Sequence, residues 1–318
     1  MKDTIQTLGD LCLEGARRFK SRKALDFCRG DRLLETVNFR TLALRAGQLA
    51  ALFQSLGVRR GDRILILSEN RPEWPTAIFG AALAGAVSVP VSAPGNPPSG
   101  LAALCVTRRT AAAATAPHVP RIYLDSGWRQ PAGIQVSVGG VMKQLPLAGG
   151  NIKTGGTGAD DPAILWPDGG QSSHGELLSL AAGAPRLYPR DRILPLCPLA
   201  EKGALILAVL AAVRGGASLS CVEGSRGDAE PAELLRAAEL LRPTVLAGES
   251  SFLEALFSRD TQAERFLSGN SFTRPLARSL ANRRIIKALG GNVRYYGVTA
   301  GPPPGRKLGG QIKYIGPI

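Results

Sequence analysis

The stretch from residue 63 to residue 91 constrains the fold of this chain most strongly. Residues 63–67 (R-I-L-I-L) and residues 86–91 (A-V-S-V-P-V) have the length and the branched side chains of buried strands. Between them, a helix is predicted from a first-turn proline at Pro72 to Ala84, with Gly85 as its left-handed cap. This order of strand, helix and strand predicts a parallel pair joined by a right-handed crossover.

The same alternation continues along the rest of the chain. Helices are predicted over residues 7–18, 38–57, 202–213 and 232–241. Strands are predicted over residues 24–27, 121–124, 134–138, 163–166, 192–196, 217–221 and 244–247. The expected fold class is therefore α/β, with two subdomains of mainly parallel sheets flanked by helices. A glycine-rich stretch at 149–158, interpreted as a linker, places the boundary between an N-terminal subdomain (1–150) and a second subdomain (151–318).

Charge and composition narrow the possible partners. The 318 residues include 39 Lys and Arg against 25 Asp and Glu, a formal net charge of +14. The basic residues are dispersed as short pairs and aromatic residues make up only 5% of the chain, a pattern that argues against nucleic-acid binding. Weak association with acidic membrane or protein surfaces stays open. Because no apolar run approaches the roughly 20 residues of a membrane span, and the first residues lack a secretion signal, a cytoplasmic protein without a transmembrane segment is predicted.

The cysteines and histidines indicate no metal site. The five cysteines are scattered without a C-x-x-C pair, and the chain has only two histidines. Reduced, mostly buried thiols are expected at Cys12, Cys28, Cys105, Cys197 and Cys221.

Two segments of the first third resemble a known family. Residues 56–64 read L-G-V-R-R-G-D-R-I, while residues 70–74 and 84–91 read N-R-P-E-W and A-G-A-V-S-V-P-V. They resemble sequence motifs of the AMP-binding, adenylate-forming superfamily, which contains the acyl-CoA synthetases. Later segments are similar to the long-chain fatty acyl-CoA branch, at residues 160–165, 191–199, 242–248 and 288–294. The resemblance implies the N-terminal region of an adenylate-forming enzyme, in truncated form and without the C-terminal lid domain.

The chemistry that this resemblance implies depends on a T-S-G-T-T-G-x-P-K-G loop, which surrounds the phosphates of ATP. At the corresponding place the chain has only a short polar turn after the strand at 163–166, and that turn lacks the lysine. Asp168 adds a negative charge where polyphosphate would lie. A degenerate phosphate site, the only cofactor-binding candidate, would consist of Gly169, Gly170, Gln171 and Ser172. The alternative interpretation is an ordinary tight turn.

Two further departures concern catalysis. The family's P-L-x-H segment supplies a histidine near the reacting carboxylate, but here Pro198 and Leu199 are followed by Ala200 and Glu201. Glu201 is interpreted as an exposed cap of the helix at 202–213. A G-Y-G-x-T-E segment is also missing. Residues 296–300 (Y-G-V-T-A) are similar to part of it only, and they lack its glutamate. No catalytic residue and no metal ligand is therefore predicted.

The resulting hypothesis is an acyl-CoA synthetase-like pseudoenzyme with a regulatory, acyl-binding or partner-binding role and no expected cofactor. The alternative is a divergent or split fatty acid:CoA ligase that forms an acyl adenylate with a second chain, and only this alternative requires ATP and magnesium. The third hypothesis is that the chain is a decayed gene product. This hypothesis predicts poor folding, because core surface and sheet edges would be exposed.

Overall fold

The structure is a computed structural model that describes residues 5–93, 98–114, 116, 118–126, 133–146, 156–223, 231–249, 287, 291–299 and 313–315. These residues form two sheets with helices packed between them. The predicted α/β class, with two mainly parallel sheets flanked by helices, is confirmed.

The first sheet has eight strands in the order β10-β9-β4-β3-β5-β6-β7-β8. The strands β9, β4, β3, β5 and β6 are parallel, whereas β10, β7 and β8 are antiparallel to their neighbours. Their bounds are β3 (Arg63–Leu67), β4 (Val87–Val91), β5 (Leu101–Val106), β6 (Arg121–Tyr123), β7 (Ile134–Val138), β8 (Val141–Leu145), β9 (Pro162–Leu165) and β10 (Gln171–Ser173).

The second sheet has seven strands in the order β15-β14-β13-β11-β12-β1-β2, and all of its pairs are parallel except the hairpin of β1 and β2. The strands are β1 (Lys23–Arg29), β2 (Arg32–Asn38), β11 (Arg192–Pro195), β12 (Ser218–Val222), β13 (Val245–Gly248), β14 (Tyr295–Val298) and β15 (Lys313–Ile315).

Three helix ends show why the helices begin or end at these residues. Thr7 and Asp10 form a reciprocal capping box at the first helix, and the Asn38 side chain accepts a hydrogen bond from the backbone N–H of Thr41 at the second. Gly85 ends the third in the left-handed conformation, with φ of 77°. The helices are α1 (Leu8–Phe19), α2 (Phe39–Ser55), α3 (Glu73–Ala84), α4 (His174–Gly183), α5 (Lys202–Ala204), α6 (Ala212–Gly215) and α7 (Pro231–Leu241).

One large core occupies the space between the two sheets. On β3, Ile64 and Ile66 point into this core, whereas Leu65 and Leu67 join a smaller cluster on the other face of the first sheet. Every residue of α3 is buried. Helix α3 can approach α2 closely because position 80 is a glycine, where a Cβ atom would lie 2.8 Å from the Cβ of Leu49.

The predicted unit at residues 63–91 is confirmed, since β3 and β4 pair in parallel from Arg63 with Val87 to Leu67 with Val91. The helix predicted over 202–213 continues to Gly215. It comprises α5, a π-helical segment (Leu205–Ala211) and α6. The strands β2, β5, β8, β10, β14 and β15 and the helix α4 were not predicted, because their sequences are polar, short or rich in small residues.

Strands from before and after residue 150 occur in both sheets. The first sheet includes β9 and β10, which follow residue 150, and the second includes β1 and β2, which precede it. The division into subdomains 1–150 and 151–318 stays a prediction, and its linker at 149–158 lies largely outside the described residues. The five cysteines are buried and free, as predicted. Among the helices of the described ranges, none has both the length and the apolar character needed to cross a membrane.

Candidate functional site

The segment at which the resemblance implies a phosphate loop is a β-hairpin between β9 and β10. The backbone N–H of Trp166 donates to the carbonyl of Gly170 at 2.7 Å, and the N–H of Gly169 donates to the carbonyl of Trp166 at 3.0 Å. Gly169 has φ of 86°, which the turn requires. The Asp168 carboxylate accepts a hydrogen bond from the N–H of Gly170 at 2.9 Å. The backbone donors of Gly169 and Gly170 are therefore already used.

The last predicted site residue, Ser172, faces inwards. Its hydroxyl accepts a hydrogen bond from the Trp166 indole N–H at 3.1 Å and donates to the Glu176 carboxylate at 3.0 Å. The Lys202 ammonium donates to the same Glu176 oxygen, and this hydrogen bond is the main reason why the pKa of Glu176 is lowered. Since Gly169, Gly170 and Gln171 are exposed and Ser172 is buried, the four residues do not point to one common space.

The next residue, His174, is fully buried and joins two helices. Its Nδ1 accepts a hydrogen bond from the backbone N–H of Leu8 at 3.2 Å, so the first turn of α4 is tied to the first turn of α1. Burial lowers the pKa of His174 to about 4. The imidazole is therefore neutral at physiological pH, and it serves packing.

A second group of polar side chains lies where β11, β13 and β14 end. The Thr299 hydroxyl lies 3.3 Å from a Glu201 carboxylate oxygen and 3.4 Å from the Cys197 sulfur. Burial raises the pKa of Glu201, and the nearby charge of Glu249 raises it further. Glu201 occupies the N-cap position of α5 as expected, but its side chain makes no capping hydrogen bond and is half-buried. The interpretation of Glu201 as an exposed cap was wrong, because the carboxylate turns towards Thr299.

Asn70 connects the two sheets at this place, a role that the sequence did not reveal. Its side-chain amide donates to the carbonyl of Cys197 at 2.9 Å and accepts from the N–H of Leu199 at 2.9 Å. This asparagine belongs to the N-R-P-E-W segment. The segment thus fixes the loop after β11, where the family has its P-L-x-H motif, against the end of β3.

Two sheets that enclose a helical layer, with polar loops where parallel strands end, define the fold of the N-terminal domains of adenylate-forming enzymes. The N-terminal domain of FACL13 from Mycobacterium tuberculosis has this fold, with a TM-score of 0.67 and 17% identity over 94% of this chain and 71% of that one. The N-terminal subdomain of NpsA from Klebsiella oxytoca, solved with anthranilyl-AMSN, gives a TM-score of 0.65 and 18% identity over 93% and 66%. The predicted fold is thereby confirmed.

The sequence places the chain more narrowly. Residues 13–117 match the family model described as AMP-binding enzyme. Triostin synthetase I from Streptomyces triostinicus is 30% identical over 58% of this chain and 33% of its own length. The fatty acid–[acyl-carrier-protein] ligase MmaC from Mycobacterium marinum is 30% identical over 53% of this chain and 32% of its own length. The chain thus spans about a third of these relatives, and the predicted resemblance to adenylate-forming ligases is confirmed.

The residues at the hairpin do not fit a nucleotide polyphosphate. A phosphate cradle needs free backbone N–H groups or a cation, whereas Gly169 and Gly170 donate within the turn and Asp168 carries a negative charge there. Lys202, which contacts the Glu176 carboxylate next to Ser172, is held there by a hydrogen bond of 3.0 Å.

Proposed function

We propose that this chain is an acyl-CoA synthetase-like protein that forms no acyl adenylate, and that its scaffold serves a regulatory, acyl-binding or partner-binding role. The hairpin from Trp166 to Gly170 carries this proposal. Binding of a phosphate at this turn would require Gly169 and Gly170 to release their hydrogen bonds, each contributing about 0.5–1.5 kcal/mol.

Charge at the hairpin opposes the same step. Asp168 is exposed at the tip of the turn, and a phosphate oxygen about 4 Å away would meet a repulsion of about 1 kcal/mol in water, rising to about 4 kcal/mol at an effective dielectric constant of 20. In the family's loop, this position is surrounded by hydroxyl groups and a lysine. A turn that carries a carboxylate instead of a lysine repels phosphate groups, and this difference supports the proposed loss of nucleotide binding.

Glu201 supports the proposal independently. It stands where the family has a histidine near the reacting carboxylate, and its half-buried side chain lies near Glu249. A third carboxylate, that of an acid substrate, would add repulsion in a partly desolvated place. An acyl ligand could be retained without this chemistry, and a fatty acid ligase is among the relatives.

Calorimetry with a fatty-acyl sulfamoyl adenosine, an analogue of an acyl adenylate, tests the proposal. A domain of this fold binds such a compound without other domains, since the NpsA N-terminal subdomain was solved with anthranilyl-AMSN. We expect no saturable heat up to about 100 μM analogue from a protein that melts cooperatively. A dissociation constant below about 10 μM would contradict the proposal and favour the split-ligase alternative.

A second titration, with decanoate, separates the possible roles. Saturable binding of the fatty acid without binding of the adenylate analogue would favour the acyl-binding role. If neither compound binds, the partner-binding role is favoured, and a pull-down with the folded chain as bait becomes the next step.

A further inference from the structure

A basic cleft lies at the amino-terminal edge of the second sheet. It has a volume of about 510 Å³ and is lined by the last turns of α1, α4 and α6 and by the loop that precedes β11. Because α6 leads into β12 and this loop leads into β11, the cleft lies where these strands begin. Cys197 and Glu201 follow the end of β11, at the opposite edge. The cleft is therefore separate from the site described above.

The lining of the cleft is positively charged. Arg18, Arg186 and Arg214 line it and no lining residue is acidic. Two carboxylates on neighbouring segments lie outside the lining. Glu14 accepts two hydrogen bonds from Arg17, at 2.6 and 2.7 Å, and Asp191 is buried against Thr244, Arg294 and the backbone N–H of Tyr188. The guanidinium charges of the cleft thus lack a compensating acid among the described residues that line it.

Helix ends explain only part of this charge. Arg18 and Arg214 stand in the last turns of α1 and α6, where a positive charge favourably meets the helix dipole. Arg186 stands in the loop before β11, so no helix end accounts for it. Arg190, in the same loop, is not part of the lining but lies against Tyr188, which is. Both guanidinium groups lie over the ring of Tyr188, at 5.3 and 5.7 Å from its centroid.

The loop that presents these two arginines is held in place. The Asp191 carboxylate accepts a hydrogen bond from the backbone N–H of Tyr188 at 2.9 Å, and the N–H of Asp191 donates to the carbonyl of Tyr188 at 2.8 Å. Arg22 reaches the carbonyl of Pro189. The backbone of residues 188–191 is thus held before any ligand arrives, which lowers the entropy lost on binding.

We propose that this cleft binds a ligand that carries two or more phosphate groups. Planar guanidinium groups match phosphate oxygens in a bidentate manner, and several of them around one space favour more than one phosphate group. The volume is in the range of about 300–1,000 Å³ that is typical of small-molecule sites. The ligand is either a soluble polyphosphate compound or the headgroup of a phosphorylated lipid. This inference goes beyond the proposed function and does not depend on it.

Calorimetry with sodium tripolyphosphate in 0.1 M salt, without magnesium, tests the proposal. We expect saturable binding with a dissociation constant of the order of 10 μM, weakened at least tenfold in the double variant Arg186→Ala/Arg190→Ala. The matched control, Arg59→Ala/Lys143→Ala, removes two positive charges from exposed positions outside the cleft lining, one in the turn before β3 and one in β8, and should change the affinity less than twofold. Melting curves establish that both variants are folded.

Two results would overturn the proposal: no saturable binding by the unmodified chain below 1 mM tripolyphosphate, or equal weakening in both double variants, which would reduce the effect to net charge. Sedimentation with phosphatidylcholine vesicles containing 5% phosphatidylinositol bisphosphate then identifies the source of the phosphate groups. Vesicle binding that the Arg186→Ala/Arg190→Ala variant loses supports a lipid headgroup. Tripolyphosphate binding without vesicle binding supports a soluble ligand.

Discussion

Two regions of this chain, the unit of β3, α3 and β4 and the segment of β9, its hairpin and β10, relate differently to the family that they resemble. In the first unit, the recognisable residues serve packing, since Asn70 joins the sheets and Gly85 ends α3. In the second segment, Asp168, Gly169 and Gly170 are exposed and form hydrogen bonds within their own turn. The comparison teaches that residues which hold the fold together are recognisable in the sequence, whereas the proposed loss of nucleotide chemistry rests on an exposed turn that does not hold the sheets together.

The largest effect is expected at Asn70. Replacing it by Ala (Asn70→Ala) would leave the carbonyl of Cys197 and the N–H of Leu199 buried without these partners, which should reduce the free energy of unfolding by about 4 kcal/mol. The same change at the helix cap Asn38, which makes a single part-buried hydrogen bond, should cost about 1 kcal/mol. Urea unfolding measures both. Similar losses of unfolding free energy in the two variants would show that Asn70, which joins the two sheets, matters no more to the fold than Asn38, which caps one helix.

His174, the first residue of α4, directly follows the second segment and tests whether the chain is tightly packed where that segment ends. Its pKa is about 4 in the folded chain and about 6.5 in the unfolded chain. The unfolded state thus takes up a proton at a higher pH than the folded state. The contribution of His174 to the free energy of unfolding is therefore fully present above pH 6.5. It is lost as the pH drops towards 4, by up to about 3 kcal/mol.

The variant His174→Asn isolates this contribution, since its side-chain oxygen can replace Nδ1 as the acceptor for Leu8. Urea midpoints of the two proteins should therefore converge as the pH falls from 7 to 4.5, because only the unmodified chain loses this contribution. Parallel pH profiles for the two proteins would show that His174 is solvated and that the segment is loose there.

Gly80 sharpens the comparison within the helical layer. A Cβ atom at this position would lie 2.8 Å from the Cβ of Leu49, so Gly80→Ala should destabilise the fold by about 2 kcal/mol. The identical change at Gly183 in α4 meets nothing within 4 Å and should be neutral or stabilise by up to about 1 kcal/mol. Thermal melts of the Gly80→Ala and Gly183→Ala variants measure this difference. Equal shifts in melting temperature would argue against close packing of α2 and α3.

The smallest effect is expected at the hairpin tip. Asp168→Asn keeps an oxygen that can accept the Gly170 N–H and removes one exposed charge, so the free energy of unfolding should change by less than about 0.5 kcal/mol. A loss above 1.5 kcal/mol in chemical denaturation would mean that this turn, too, serves the fold.

The sequence predicted the buried elements better than the exposed ones. The parallel pair of β3 and β4 followed from two apolar runs around a helix with a clear cap, and both runs are buried. Strands β2 and β8 were missed because their exposed residues carry little apolar periodicity. No short pattern reveals Asn70 as the connection to Leu199, because the two residues meet only when both sheets have formed.

The candidate site was predicted only in part. A shortened turn with a misplaced carboxylate at Asp168 could be recognised from its position after β9, but the inward orientation of Ser172 could not. The half-buried state of Glu201 depends on Thr299, which is 98 residues away along the chain.

The most direct test of the account is a titration of ¹⁵N-glycine-labelled chain with Mg²⁺ and ATP, followed at the amides of Gly169 and Gly170. The background is the Arg186→Ala/Arg190→Ala variant, so that binding in the basic cleft does not contribute, and Gly170→Ala assigns one of the signals. Because both N–H groups are engaged within the hairpin, the account predicts that neither signal moves up to about 1 mM ATP. A saturable shift of both signals would contradict it, since the hairpin would then open to receive the phosphates.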